Sequence, residues 1–124
     1  MNRVLHVEDE PDIQEVAKLA LEAVGGLTVE LARSGAEALA KAAAFGPDVI
    51  LLDVMMPGMD GPTTLTELRR CPATASIPVI FMTAKVQNHE VERFKALGAL
   101  DVIAKPFDPM TLSDSVREIC ARPR

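Results

Sequence analysis

The 124-residue sequence has no tryptophan, no tyrosine and only four phenylalanines. A core has to be assembled from aliphatic side chains, which a hydrophobic content of 48% supplies. Cysteine is nearly as scarce. Cys71 and Cys120 lie far apart with no second pair, which excludes a disulfide framework and a zinc spacing and suits a reducing cytosol. No long apolar run opens the chain: Arg3-Val4-Leu5-His6-Val7 gives way at once to Glu8-Asp9-Glu10, which is neither a signal peptide nor a membrane span. Nor is there a surplus of positive charge. Thirteen scattered Lys and Arg against 18 Asp and Glu, net −5, argue against direct nucleic-acid contact. What remains is a soluble, cytoplasmic chain with room for one domain, residues 1–124, able to bury a core without staples. It shows no internal repeat, linker or low-complexity segment, and Ala121-Arg122-Pro123-Arg124 reads as a frayed tail.

What is present is a regular alternation. The run Val49-Ile50-Leu51-Leu52, bounded by Pro47-Asp48 and by Pro57-Gly58, has the composition of a strand buried on both faces of a parallel sheet, and it delivers Asp53 into a turn. Arg3–Val7, Leu27–Ala32, Pro78–Met82 and Asp101–Ala104 read as four further strands. Helices are predicted between and after them. The first opens at Pro11 and carries Ile13, Val16, Ala17, Ala20, Leu21 and Val24 at helical spacing until Gly25-Gly26. The second follows the capping-box pattern Ser34-Gly35-Ala36-Glu37 and ends at Gly46-Pro47. The third opens near Pro62 with Leu65 and Leu68 inward. The fourth is capped by Asn88, turns Val91, Phe94 and Leu97 inward and stops at Gly98; the last runs from Asp108-Pro109 to about Cys120. Five strands alternating with five helices predict an α/β fold with a central parallel sheet and right-handed crossovers.

In such a sheet every strand ends on the same edge, so residues just past each strand converge there. Those residues are Glu8 and Asp9, Asp53, Thr83 and Lys105. Carboxylates so gathered repel one another, and a hard divalent cation held by oxygens resolves the conflict. Magnesium fits better than zinc because no His or Cys follows these strands; His6 and His89 read as structural or solvated. A cation, an ammonium and a hydroxyl beside a free carboxylate are what a phosphoryl group needs, and the carboxylate can itself be the nucleophile and become an acyl phosphate. Asp53, at the end of the central strand, is the natural nucleophile, and adjacent Glu8 and Asp9 suit the metal.

At these residues the chain resembles the response-regulator receiver domain of two-component signalling, over essentially its whole length. Glu8-Asp9 matches the family's acidic pair. Asp53 in Leu-Leu-Asp-Val-Met-Met-Pro-Gly-Met-Asp-Gly matches its phosphorylated aspartate, Thr83 in Met-Thr-Ala its switch hydroxyl, and Lys105 in Lys-Pro-Phe its phosphate-contacting lysine. The resemblance implies a doubly wound, flavodoxin-like (βα)5 fold with strand order 2-1-3-4-5. It also implies a Mg2+ ion bound by Asp9, Asp53 and the backbone carbonyl of Met55, with Glu8 acting through water, and a cis Lys105-Pro106 peptide. The partners so implied are a histidine kinase or histidine phosphotransfer protein as donor and a downstream protein target. A phosphorylation-dependent homodimer is a further outcome it allows. The chain would be a phosphoacceptor with self-catalysed phosphotransfer and autodephosphorylation rather than an enzyme, and its end after the fifth helix suggests a stand-alone receiver.

The sequence also departs from the family. Val102 stands where many receivers carry Tyr or Phe, so the Thr-aromatic switch cannot operate in its usual form, and Thr83 motion with rearrangement of the fourth helix or a loop is expected to carry the signal. Glu8 occupies a position where Asp is common. Met55 and Lys85 flank the expected path of attacking water and are expected to tune phosphoryl lifetime. Two other functions use related chemistry. A haloacid-dehalogenase-like phosphatase would need an Asp two residues after the nucleophile, where Met55 stands, and a phosphorylation-independent docking module would tolerate the loss of an acid or the lysine, none of which is missing.

Overall fold

In a computed structural model, described for residues 1–123, five strands form one sheet in the order β2-β1-β3-β4-β5. They are β1 (Arg3–Val7), β2 (Thr28–Ala32), β3 (Val49–Asp53), β4 (Val79–Thr83) and β5 (Asp101–Ala104), and every pairing is parallel. The helices are α1 (Pro11–Leu19, extended by a π-helical segment over Ala20–Val24), α2 (Gly35–Phe45), α3 (Gly61–Arg70), α4 (Asn88–Ala96) and α5 (Leu112–Ala121). The α/β class and strand order expected from the sequence are borne out, and Lys105-Pro106 is cis.

Strand alternation sorts the core into two layers. On one face Leu5, Val7, Ile50, Leu52 and Phe81 pack against Ala38 and Ala42 of α2, Leu65 and Leu68 of α3 and Phe94 of α4. On the other, Val4, Val29, Leu51, Ile80 and Met82 meet Ala17, Ala20 and Leu21 of the α1 segment and Leu112, Val116 and Ile119 of α5. β3 and β4 are buried along their whole length, which is why they read as unbroken apolar runs. Local signals fix several helix ends. The Ser34 hydroxyl accepts from the Glu37 N–H at 3.1 Å, Asp60 Oδ1 accepts from the Thr63 N–H at 2.9 Å, and Gly46 closes α2 at φ 64°.

Four expectations need correction. In α1, Val16 and Val24 are exposed and Gln14 is buried in their stead. Past Ala20 the hydrogen bonds widen, with Gly25 N–H reaching back five residues to the Ala20 carbonyl at 3.2 Å, so a strict 3.6-residue period mispredicts Val24. Asn88 is the first residue of α4 rather than its cap, and of Val91, Phe94 and Leu97 only Phe94 is buried, because α4 covers the sheet's edge at β5. The last helix starts at Leu112; Asp108 instead closes a turn, its Oδ1 accepting from Met110 N–H at 2.9 Å and its carbonyl from Thr111 N–H at 3.1 Å. Finally, Arg122 of the supposed tail is ion-paired to Asp101 at 2.5 Å and to Glu118 at 2.8 Å. Residue 124 lies outside the described residues.

Candidate functional site

The register of the strands brings the chemistry together. Val7 pairs with Leu52 and Asp53 with Met82, so Glu8, Asp53 and Thr83 end their strands at nearly one level. The Lys105 N–H donates to the Thr83 carbonyl at 2.9 Å, which continues the β4–β5 ladder one step and fixes where the lysine starts. Its Nζ then reaches Glu8 Oε1 at 2.8 Å and Asp53 Oδ1 at 3.2 Å, bridging residues from opposite ends of the sequence. Glu8, at 1% exposure, and Asp53, at 4%, are buried carboxylates joined by one ammonium. Asp9 is half-buried, and carboxylate oxygens of Glu8, Asp9 and Asp53 lie within 4.8 Å of one another.

Three carboxylates against one ammonium leave a surplus of two negative charges when all are ionised, and the electrostatics register it. Burial pushes the Glu8 carboxyl up to about 7, helped by the Asp53 charge and opposed by the Lys105 hydrogen bond. Burial pulls the Lys105 ammonium down, but the Glu8 hydrogen bond and the Asp53 charge outweigh it and leave Lys105 above the ordinary lysine value. An all-oxygen donor set with excess negative charge fits a hard dication such as Mg2+. The donor chemistry therefore agrees with the metal expected from the sequence.

Thr83 is buried beside this cluster. Its Oγ1 accepts from the Lys85 N–H at 3.1 Å, and among the described residues its hydroxyl proton goes to no acceptor, so a donor is free for an incoming anionic oxygen. Met55 is 71% exposed while Met56 is packed into the core, a split the sequence pair did not foretell. Lys85 is exposed. His89 is exposed, with Nε2 3.4 Å from Glu90 Oε1 and away from the acidic cluster. Two polar groups near β1 are buried, His6, which the sequence marks as structural or solvated, and Gln14, which it does not mark. Gln14 hydrogen-bonds the Glu8 carbonyl at 2.6 Å, a role its helical spacing concealed behind apolar neighbours. His6 is fully buried, neither ring nitrogen has a partner among the described residues, and burial with the nearby Lys105 charge lowers its pKa to about 4, which keeps it neutral.

The family model described as the response regulator receiver domain matches residues 4–117. This chain belongs to that family. Receiver domains are phosphoacceptor signalling modules, and this one is a phosphorylation-activated signalling switch; no feature of the pocket favours a phosphatase. It is 36% identical over 122 residues to Protein PilH of Pseudomonas aeruginosa, covering 98% of this chain and 99% of that relative. It is 37% identical over 123 residues to the DNA-binding dual master transcriptional regulator RpaA of Synechocystis sp., but there spans only 50% of the relative. Among solved structures, the chemotaxis protein CheY4 of Vibrio cholerae superposes with a TM-score of 0.88 at 34% identity, covering 96% of this chain and 98% of that one. The receiver thus spans about half or less of several curated relatives and nearly all of others.

Proposed function

We propose that residues 1–124 act as one receiver domain whose Asp53 accepts a phosphoryl group from a phosphohistidine of a sensor kinase or phosphotransfer protein. An Asp53 carboxylate oxygen attacks phosphorus, the P–N bond breaks with its electron pair returning to the imidazole, and an aspartyl phosphate results. Lys105 holds the carboxylates before transfer and turns to a phosphoryl oxygen after it, while the free Thr83 hydroxyl donates to another. Asp9, Asp53 and the Met55 carbonyl, with Glu8 through water, would hold Mg2+, which neutralises charge on the carboxylates and the phosphoryl oxygens. Release of the phosphoryl group to water is self-catalysed and slow. The output is a changed loop and α4-β5-α5 surface that alters binding to a protein target, a second copy of this chain included. No described helix is long and apolar enough to cross a membrane, and the scarcity and wide spacing of cysteine suit a cytoplasmic location.

The observation that carries this reading is the Glu8–Lys105–Asp53 bridge beside Asp9 and a hydroxyl with an uncommitted proton. Incubation with Mg2+ and acetyl phosphate should add one phosphoryl mass that Asp53→Asn removes. No mass gain, or a gain that survives the substitution, would sink the proposal. A cleft of about 430 Å³ lined by Asp12, Ile13, Val16, Pro106 and Phe107 shares Lys105 with the pocket. A phosphohistidine must reach Asp53, so a protein donor rests on the surface around Lys105, and an apolar helix face of that donor fits this cleft. Val16→Asp should slow transfer from the protein donor several-fold and leave acetyl phosphate labelling unchanged; equal effects on both would remove the cleft from the reading.

A further inference from the structure

Gln14 is the one polar side chain of α1 that the fold buries, at 4% exposure. Its Nε2 donates to the Glu8 carbonyl at 2.6 Å and to the Ala32 carbonyl at 3.3 Å. Both partners are acceptors, so the amide has one orientation; a flip would set its oxygen against two carbonyls. The Ala32 carbonyl also accepts the Glu8 N–H at 2.9 Å, and the Gln14 N–H donates to the Glu10 carbonyl at 3.1 Å. One residue therefore ties together the ends of β1 and β2 and the first turn of α1. The tie is made at the peptide whose carbonyl belongs to Glu8 and whose nitrogen belongs to Asp9.

Asp9 depends on that tie more than its neighbours do. Glu8 and Asp53 are each held by Lys105. The Asp9 carboxylate makes no side-chain hydrogen bond or ion pair among the described residues, although its oxygens stand within 4.8 Å of the other two acids. With no polar partner of its own, its placement depends on the backbone that carries it, and the peptide unit leading into its Cα is the one Gln14 grips. We propose that Gln14 is a positioning residue for a divalent cation, acting through Asp9: by fixing the Glu8–Asp9 peptide it aims the Asp9 carboxylate at the other two. This rests on the reading of Glu8, Asp9 and Asp53 as the Mg2+ site.

The test is calorimetric titration of the unphosphorylated protein with Mg2+. Gln14→Met keeps side-chain length and removes the N–H donors, and it should weaken Mg2+ binding about tenfold, as loss of groups that orient metal ligands does. In an Asp9→Asn background the same change should weaken binding no further, because its effect passes through the missing carboxylate. Gln14→Arg, which returns N–H donors to the two carbonyls, should recover most of the loss. A purely structural role would lower thermal stability equally in both backgrounds without this pattern. Unchanged affinity in Gln14→Met, or an equal further loss on Asp9→Asn, overturns the proposal. The wild type supplies an independent reading: its Gln14 side-chain amide NMR signals should shift on adding Mg2+, and signals that stay still overturn it too. A wild type that binds no Mg2+ removes the metal reading itself, whereas normal wild-type binding with an indifferent Gln14 removes only the positioning role.

Discussion

Two loops border Asp53, and the fold holds them by opposite means. The β1–α1 loop is clamped by polar groups: Lys105 on the Glu8 carboxylate, the Gln14 amide on the Glu8 carbonyl, and the β1–β2 ladder running on into Glu8. The β4–α4 side has one side-chain contact at its start, Lys85 N–H to Thr83 Oγ1, and then a helix with one buried residue. That residue, Phe94, meets Phe81 of β4 edge-on, with centroids 4.9 Å apart at 65°. Polar contacts position the first loop, whereas the second leads into a helix anchored in the core by one buried side chain. A metal site requires fixed ligands, while a signal read by a partner requires an element that moves at small energetic cost. In the register β5 sets Val102 opposite Phe81, so the aromatic side chains on this side belong to β4 and α4 rather than to the β5 position usual in the family.

The largest expected effect on this contrast is at its weaker side. Phe94→Ala empties a fully buried ring site and should destabilise the protein by about 3 kcal/mol. Hydrogen exchange should show α4 amides losing protection well before those of α1; uniform loss would mean that α4 is not separately held. Lys105→Met removes the ammonium that bridges Glu8 and Asp53, and aspartyl phosphate formation from acetyl phosphate should fall by about 100-fold, as for loss of a preorganised electrostatic contact. Mg2+ affinity should fall less or rise, because a competing cation is gone; a parallel collapse in Mg2+ binding would contradict the division of roles.

A smaller effect separates two buried groups on the clamped side through pH. The folded His6 pKa of about 4 lies below its ordinary 6.5, so its contribution is present above pH 6.5 and is lost as pH falls toward 4. Glu8, raised from 4.5 to about 7, runs the other way: its contribution is present below 4.5 and is lost as pH rises through 7. His6→Leu should therefore remove one slope and keep the other. Without Mg2+, the wild type should lose about 2–3 kcal/mol relative to this variant between pH 7 and pH 4, measured by denaturant unfolding. Identical pH profiles would show that His6 is not buried neutral. The smallest effect is expected at Met55, where the ligand proposed for Mg2+ is the backbone carbonyl and not the exposed side chain: Met55→Ala should change Mg2+ affinity by less than about twofold, since an exposed side chain away from special features contributes little.

The sequence by itself determined the class of fold and the composition of the pocket. Unbroken apolar runs at Val49–Leu52 and Val79–Met82 can be stable only as strands covered on both faces, and parallel strands put their following residues on one edge. Glu8, Asp9, Asp53, Thr83 and Lys105 were legible for that reason, since each stands at the end of a strand or within two residues past it. Tertiary structure decided where the inward faces of α1 and α4 depart from their periodicity, and which groups touch. The π-helical segment displaced Val24 to the surface, the narrow edge at β5 left α4 with Phe94 alone, and Asp108 closed a turn four residues before the helix it was expected to open. The Lys105 bridge to Glu8 spans 97 residues and the Gln14 clasp on Ala32 spans 18, and no local pattern encodes either. Local propensity acts over a few residues, whereas the aim of a carboxylate or an ammonium depends on where separate elements pack.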